Sequence, residues 1–555
     1  MKKILFVALA VLIVLAGSFL WIRRSMGVTD AALLLPAETV MMASLPDLPR
    51  SLFRWPQTTL AKIGAEPEMK AFLEQPFQYL TKQQGGDEAS GVLLSLKPGR
   101  IFAAAVSVST NDAATLIGFQ YWGGKIAHDA AMARLREQLA QGSPVPELTR
   151  ETYQGDEISS AAQMGVTLYN ASHGQWGFLS NNLATLKDTL DRAAGRKKDG
   201  SLAASERYKQ VHGHVLKDPD FFFYFQPQAV LESLLAIGQN MGAQAIPQQI
   251  EQAKKVEAIG AAIKMDGADL RDSVFILRPS PPDVGNLTHA AMKFTTKDTT
   301  AYFDFVTDFR QISSLSGNPA LAGLQNSPTV QGSRLPQLVP EALGPECAVS
   351  LFWPAGQLKP EGFLAVQVKD AAKAEECVQE ILAQFPETSV SDEGGIRTYS
   401  FPALQTAFAN PSVALTKDFL LIGLDAADIP RALQAATVDS LEKSPVFAPV
   451  LPAFRSANEV FGYVDSKVLF ERAFPMLRQV AVFGAAMMPG VSDIIDSSKI
   501  PETETIARHL SPIVYSQTRL PDGYLVESSG PITMNQAIIL GAVAGSPFLK
   551  PPAAE

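Results

Sequence analysis

Few residues in this chain of 555 are of a type and spacing that could do chemistry. There are six histidines, His128, His173, His212, His214, His289 and His509, and only His212-x-His214 forms a close pair. On a helix such a pair points to opposite sides, and Tyr208 to Val215 reads as helix, so solvated histidines are expected there and not a metal set. Ser440-Leu-Glu-Lys443 has the Ser-x-x-Lys spacing that places an amine beside a hydroxyl for acylation. Its companion Ser-Asp-Asn and Lys-Thr-Gly motifs are absent, and a serine that opens a helix reads as its N-cap. Gly123-Gly124-Lys125 lacks the first glycine and the closing Ser/Thr of a phosphate loop and reads as a turn. No Gly-x-Ser-x-Gly, His-Glu-x-x-His or Cys-x-x-Cys occurs. Local motifs therefore supply no catalytic residue, no metal ligand and no cofactor site.

Two further groups stand out. The run Phe221-Phe222-Phe223-Tyr224-Phe225, read as a strand, puts Phe221, Phe223 and Phe225 on one face and Phe222 and Tyr224 on the other. Both faces then need cover, as in a central core strand, or one of them forms an apolar ligand groove. The two cysteines are Cys347, at a strand start, and Cys377, in a helix after the next strand. A helix folding back over its sheet could join them in a disulfide in an oxidising compartment; buried free thiols are the alternative.

The elements that position these residues follow from composition and periodicity. Hydrophobic residues make up 46% and charged residues 19%, which is globular and not disordered. The 47 basic and 56 acidic residues give −9, and without Lys2, Lys3, Arg23 and Arg24 the remainder carries −13, a body that repels phosphate backbones. Nucleic acid is not an expected partner. Ile4 to Ile22 is uncharged and rises about 28 Å as a helix, near the hydrocarbon thickness of a bilayer. It reads as a signal anchor, with a cleaved signal as the alternative, and sets the body on the extracytoplasmic, periplasm-like side. Residues 534–549 are apolar but interrupted, too short to span, and read as a docked or disordered tail, with an interfacial membrane contact as the alternative.

Period-2 and 3.6-period runs alternate, which argues for the α+β class with antiparallel sheets carrying helices. Paired strands are expected at Ile101–Val108 and Thr115–Trp122, a hairpin at Val166–His173 and Gln175–Asn181, and a helix at Leu183–Ala194 capped by Asn181 or Asn182. The chain also matches itself. Ser201, Leu202, Ser205, Tyr208, Val211, Phe222 and Tyr224 match Ser440, Leu441, Ser444, Phe447, Val450, Phe461 and Tyr463 at a constant offset of 239. Upstream, Trp176, Asn182, Leu186 and Leu190 match Phe419, Asp425, Ile429 and Leu433 at an offset of 243, and Pro36 onward parallels Pro345 onward in pattern only. The expected organisation is an anchor or signal at 1–24, a first α+β module at 36–240, a smaller block at 241–313, a linker at 314–336, a related second module at 337–480 and a hairpin with apolar tail at 481–555. Within the block, a hairpin turns at Asp266-Gly267, with a strand near Met292 and a helix over Thr300–Ser313.

The order of these elements, with the Pro36-Ala-Glu-Thr strand start, Tyr153-x-Gly155, Trp176-Gly-Phe-Leu-Ser-Asn, Ser201-Leu-Ala-Ala-Ser205 and Asp218-Pro-Asp-Phe-Phe-Phe-Tyr224, resembles a bacterial domain family of unknown function, family 3352, over about 36 to 480. The resemblance implies an α+β body exposed in the envelope and brings no activity. The expected function is a membrane-anchored, non-enzymatic envelope protein that binds a partner protein or an apolar ligand. The alternative is a hydrolase of envelope polymers whose site is assembled from residues distant in sequence.

Overall fold

Alternating β-branched and aromatic runs recur along the chain, and in the computed structural model they form, among the described residues, twenty antiparallel strands interleaved with helices. The structure describes residues 30–538 except 85–96, 110–111, 123–128, 131, 135–147, 164–165, 232–252, 311–332, 386, 394, 407–408, 436–439 and 488–495. The N-terminal apolar segment and most of the C-terminal tail lie outside these residues. Among the described residues no helix is long and apolar enough to cross a membrane.

The chain divides into two compact units. The first holds the described residues up to Pro56, with Phe77–Met265 and Val274–Pro279; the second holds Gln57–Pro76, Asp266–Ser273 and the described residues from Ser280 onward.

In the first unit the strands are β1 (Met41–Leu45), β2 (Arg100–Val108), β3 (Ala113–Gln120), β4 (Thr149–Tyr153), β5 (Asp156–Gln163), β6 (Val166–His173), β7 (Trp176–Ser180), β8 (Phe221–Phe225) and β9 (Ala258–Asp266). Their neighbour order is β4-β5-β6-β7-β3-β2-β1-β8-β9. The Asp266-Gly267 hairpin leads into β10 (Asp269–Leu277), and the division between units falls within it. Met42, Phe102, Leu116, Phe178, Phe222 and Tyr224 share one sheet face and are buried under the helices Leu183–Ala193 and Glu206–His214. Asn182 caps the first of these helices, accepting from Thr185 N at 3.0 Å. Tyr208 meets Tyr224 edge-on at 5.3 Å, and Gly260 is bare because Val211 lies where its Cβ would be.

In the second unit the strands are β11 (Ala301–Val306), β12 (Leu343–Phe352), β13 (Glu361–Val368), β14 (Ser389–Glu393), β15 (Ile396–Ser400), β16 (Ser412–Leu415), β17 (Phe419–Gly423), β18 (Val460–Val464), β19 (Ile513–Leu520) and β20 (Gly523–Gly530). Their order is β14-β15-β16-β17-β13-β12-β11-β18-β19-β20. Tyr302, Ala348, Phe363, Leu421, Phe461 and Tyr463 pack on one face with Met292, Ile429, Leu441, Phe447 and Phe454. On the other face, Cys347, Val366 and Leu420 pack with Leu338, Cys377 and Val378. These come from the helices Leu335–Ala342 and Ala371–Gln384.

Strand by strand, the order in the second unit is that of the first with ten added to each number. Residues matched in the sequence fall on corresponding elements. Trp176 opens β7 and Phe419 opens β17, Tyr224 is on β8 and Tyr463 on β18, and Leu202 and Leu441 are fully buried in 3-10 turns.

Three expectations are corrected. Met292 lies in a 3-10 turn, Ala290–Phe294, and not in a strand. The segment read as a helix over Thr300–Ser313 contains the central strand β11, because Ala301-Tyr-Phe-Asp-Phe-Val306 is aromatic and β-branched and lies between β12 and β18. Pro345 lies in β12, whose counterpart in strand order is β2, so the Pro36 and Pro345 segments belong to different elements.

An acid precedes each of β8 and β18. Asp220 donates its amide to Ile263 and Glu459 donates its amide to Gln517. Asp220 is buried and accepts from Ser51 Oγ at 2.8 Å, Met265 N at 2.8 Å and Arg54 Nη1 at 3.2 Å, while Glu459 accepts from Gln517 Nε2 at 2.8 Å and pairs with Arg519. Asp220→Ala leaves buried donors unpaired, each costing about 1 to 3 kcal/mol. Urea denaturation should therefore show a loss of about 2 kcal/mol or more, and Asp220→Asn, which keeps an acceptor, a smaller one.

Candidate functional site

Among the described residues, acids on an apolar sheet face define the most unusual chemistry of the chain. Tyr302 and Asp304, two apart on β11, point to the same face, and Glu346 on β12 joins them. All three are fully buried. An ionised carboxylate in such a place needs donors, and the preceding loop supplies them. Glu346 accepts from the amides of Thr288 at 2.9 Å and Ala290 at 3.1 Å and from the Thr288 hydroxyl. Asp304 accepts from Tyr302 OH at 3.1 Å and bonds His289 Nδ1 at 2.6 Å. To reach it, His289 takes a left-handed backbone, φ 57° and ψ 19°, which is strained for a residue with a Cβ.

The His289 ring is occupied on several sides. Nδ1 faces Asp304, the Ala457 backbone carbonyl lies against the ring, and Phe454 covers it at 4.1 Å between centroids. Burial is the largest influence on its pKa and acts to lower it. The Asp304 hydrogen bond and charge, with Glu346 and the Ala457 carbonyl, outweigh burial and hold it above the ordinary histidine value. Burial pushes the Asp304 carboxyl up, against the pull of His289 and Tyr302, and drives the Tyr302 phenol far up.

Beside this cluster lies a cavity of about 480 Å³ lined by Thr288, His289, Met292, Lys293, Phe454, Arg455 and, across from them, Ser440 and Glu442. Ser440 stands at the N-cap of the turn Leu441–Lys443, yet its hydroxyl makes no capping hydrogen bond. The expected role of Ser440 as a cap is thus corrected: its hydroxyl is left to the cavity wall, while the Leu441 amide donates to Thr295 Oγ1 at 3.2 Å and the Lys443 amide to the Ser440 backbone carbonyl at 3.0 Å.

The other residues singled out from the sequence lie elsewhere. His212 and His214 are on the helix Glu206–His214, stacked on Tyr208 and Phe275 respectively. Phe221, Phe223 and Phe225 form a half-buried row on β8, with Phe223 and Phe225 stacked at 6.4 Å and Met41 and Ala43 of β1 and Ile259, Ala261 and Ile263 of β9 beside them. Cys347 and Cys377 share one core cluster and are both free thiols. Asp304 and Glu346 escaped sequence reading, although an acid in phase with Tyr302 in an apolar strand was the available signal; reading that stretch as helix concealed it.

Two outcomes follow. Burial raises the Cys347 thiol to about 12 and the Cys377 thiol to about 11, so DTNB should label neither until denaturant is added, and native mass should show no disulfide. Since His289 is raised in the fold, its contribution to stability is complete below about 6.5 and is lost as pH rises through the folded value. Urea midpoints should therefore fall as pH rises above about 6.5 in the wild type, and fall less in His289→Gln.

The comparisons with known proteins were informative at one level only. No curated protein matches the chain. A solved structure, crystal form I of TP0453, aligns at 8% identity over 73% of this chain and 97% of its own, with a TM-score of 0.19. The family match is extensive: it covers residues 125–509, from the end of β3 to the turn before β19, and so takes in the His289 cluster and the cavity. The chain belongs to the family described as "Protein of unknown function (DUF3352)".

Proposed function

We propose that this is a non-enzymatic binding protein of the cell envelope, made of two copies of one ten-strand α+β module, the second of which holds a ligand pocket. The duplication is supported by the shared strand order and by the matched residues on corresponding elements. On this reading the strands of the copies run from about β1 to β10 and from about β11 to β20, with residues 288–300 leading into the second, so the second begins near 288 and not at 337. The uncharged Ile4–Ile22 segment supports an anchor, with the body on the extracytoplasmic side. In the first copy, the half-buried Phe221, Phe223 and Phe225 offer a surface to a partner protein or an apolar ligand.

The observation that carries binding over catalysis is the state of His289. A general base needs a ring nitrogen free to take a proton from a nucleophile. Here Nδ1 is engaged by Asp304, Phe454 covers the ring and the Ala457 carbonyl lies against it, so the imidazole is held as a structural group.

One observation favours a hydrolase as the second reading. Ser440, uncapped, shares a cavity with a histidine backed by a buried aspartate, the three residue types of an acyl-transfer triad. The purified full chain should not turn over ester, amide, glycoside or phosphate substrates, and crosslinking in intact membranes should capture a specific partner or ligand. Hydrolysis that disappears in Ser440→Ala, with the urea midpoint unchanged, would establish the hydrolase instead.

A further inference from the structure

The charge and hydrogen-bonding capacity of the cavity walls go further than a generic pocket. His289 is answered by Asp304, and the Glu346 carboxylate is satisfied by three donors behind the wall. The groups left to face a ligand are Lys293, Arg455, Glu442 and the Ser440 hydroxyl. Arg455 is exposed, and among the described residues it has no ion-pair partner. The Lys293 ammonium lies 5.0 Å and 5.3 Å from the ring centres of Phe294 and Phe419, and its partner Asp418 is 3.5 Å away and more than half exposed. Such an exposed pair is weak and gives way to a better acceptor. Of the charged groups left on the lining, Lys293 and Arg455 are cations and Glu442 is the carboxylate, in a chain of net charge −9. An unpaired guanidinium is a planar fork that suits a carboxylate or phosphate.

We infer that this cavity binds a small organic anion, a phosphate or carboxylate carried on a hydroxyl-bearing body, with Arg455 and Lys293 on the anionic group and Ser440 on a hydroxyl. Phe454 and Met292 supply the apolar part of the wall. The inference rests on the pocket reading above and adds the ligand class. A phosphate of this kind occurs free in solution or as a lipid headgroup, and the two sources share their recognition chemistry.

The test is calorimetric titration of the full chain in detergent with four probes: glycerol 3-phosphate, glucuronate, neutral glucose and short-chain dioctanoyl phosphatidylglycerol. At least one anionic probe should bind while glucose does not, and added salt should weaken that binding. Arg455→Gln should cost at least about ten-fold in affinity and Lys293→Gln a smaller factor, both with unchanged urea midpoints. Tighter binding of the lipid than of glycerol 3-phosphate assigns the site to headgroups; equal or weaker binding assigns it to a free anion. If glucose binds as well as the anions and Arg455→Gln changes nothing, the anion inference is overturned while the binding reading stands. If no probe binds at millimolar concentration, the anion inference also fails, and membrane crosslinking alone decides the broader reading.

Discussion

Two carboxylates on the apolar face of β11 and β12 set the terms for the second unit. Asp304 and Glu346 are removed from water by the same sheet packing that buries Tyr302, Phe461 and Tyr463, and an unpaired charge there would cost more than a loop can lose in entropy. The chain answers with Thr288, His289 and Ala290, three consecutive residues that turn their donors onto the sheet. The left-handed backbone at His289 is the strain accepted for that arrangement. Once this loop is fixed, the 3-10 turn after it presents Met292 to the core and Lys293 outward, and the cavity acquires one of its walls.

The first unit shows what the same strand order does without that demand. Opposite Phe222 on β8, β1 carries Ser44, where β11 carries Asp304 opposite Phe461. Opposite Tyr224 it carries Met42, where β11 carries Tyr302 opposite Tyr463. An apolar or hydroxyl residue at these points needs no ionic partner, so the sheet face is covered by helices alone. The buried acid preceding β8 and β18 occurs in both units, with arginine support in each, and this marks it as part of the scaffold. The Asp304 and Glu346 cluster is the departure from that scaffold, and it stands beside the cavity.

Strands with strong alternation were legible residue by residue. Val166–His173 and the Asp266-Gly267 hairpin form as read, because hydrophobic alternation and a glycine at positive φ determine them locally. β11 was not legible as a strand. Its six residues are short, mostly apolar and flanked by polar turns, and such a run is a strand only because β12 and β18 take its backbone hydrogen bonds. The same limit hid the site. Asp304 becomes a buried acid only when Tyr302 and Asp304 are known to alternate toward a core, and Ser440 becomes a cavity residue only when the fold sets it on one lining with His289 and Lys293, distant in sequence.

The sequence by itself determined the α+β class, the family, the internal match at offsets of 239 and 243, and the absence of any local catalytic motif, since all of these are carried by composition, period and spacing. Tertiary structure alone decided which residues meet. His289, Asp304 and Glu346 span 58 positions of chain, and Ser440 lies a further 94 along it; no propensity or spacing rule links residues so far apart. They are neighbours or share a cavity because strand pairing brings β11 between β12 and β18 and because buried charge selects the loop that can neutralise it.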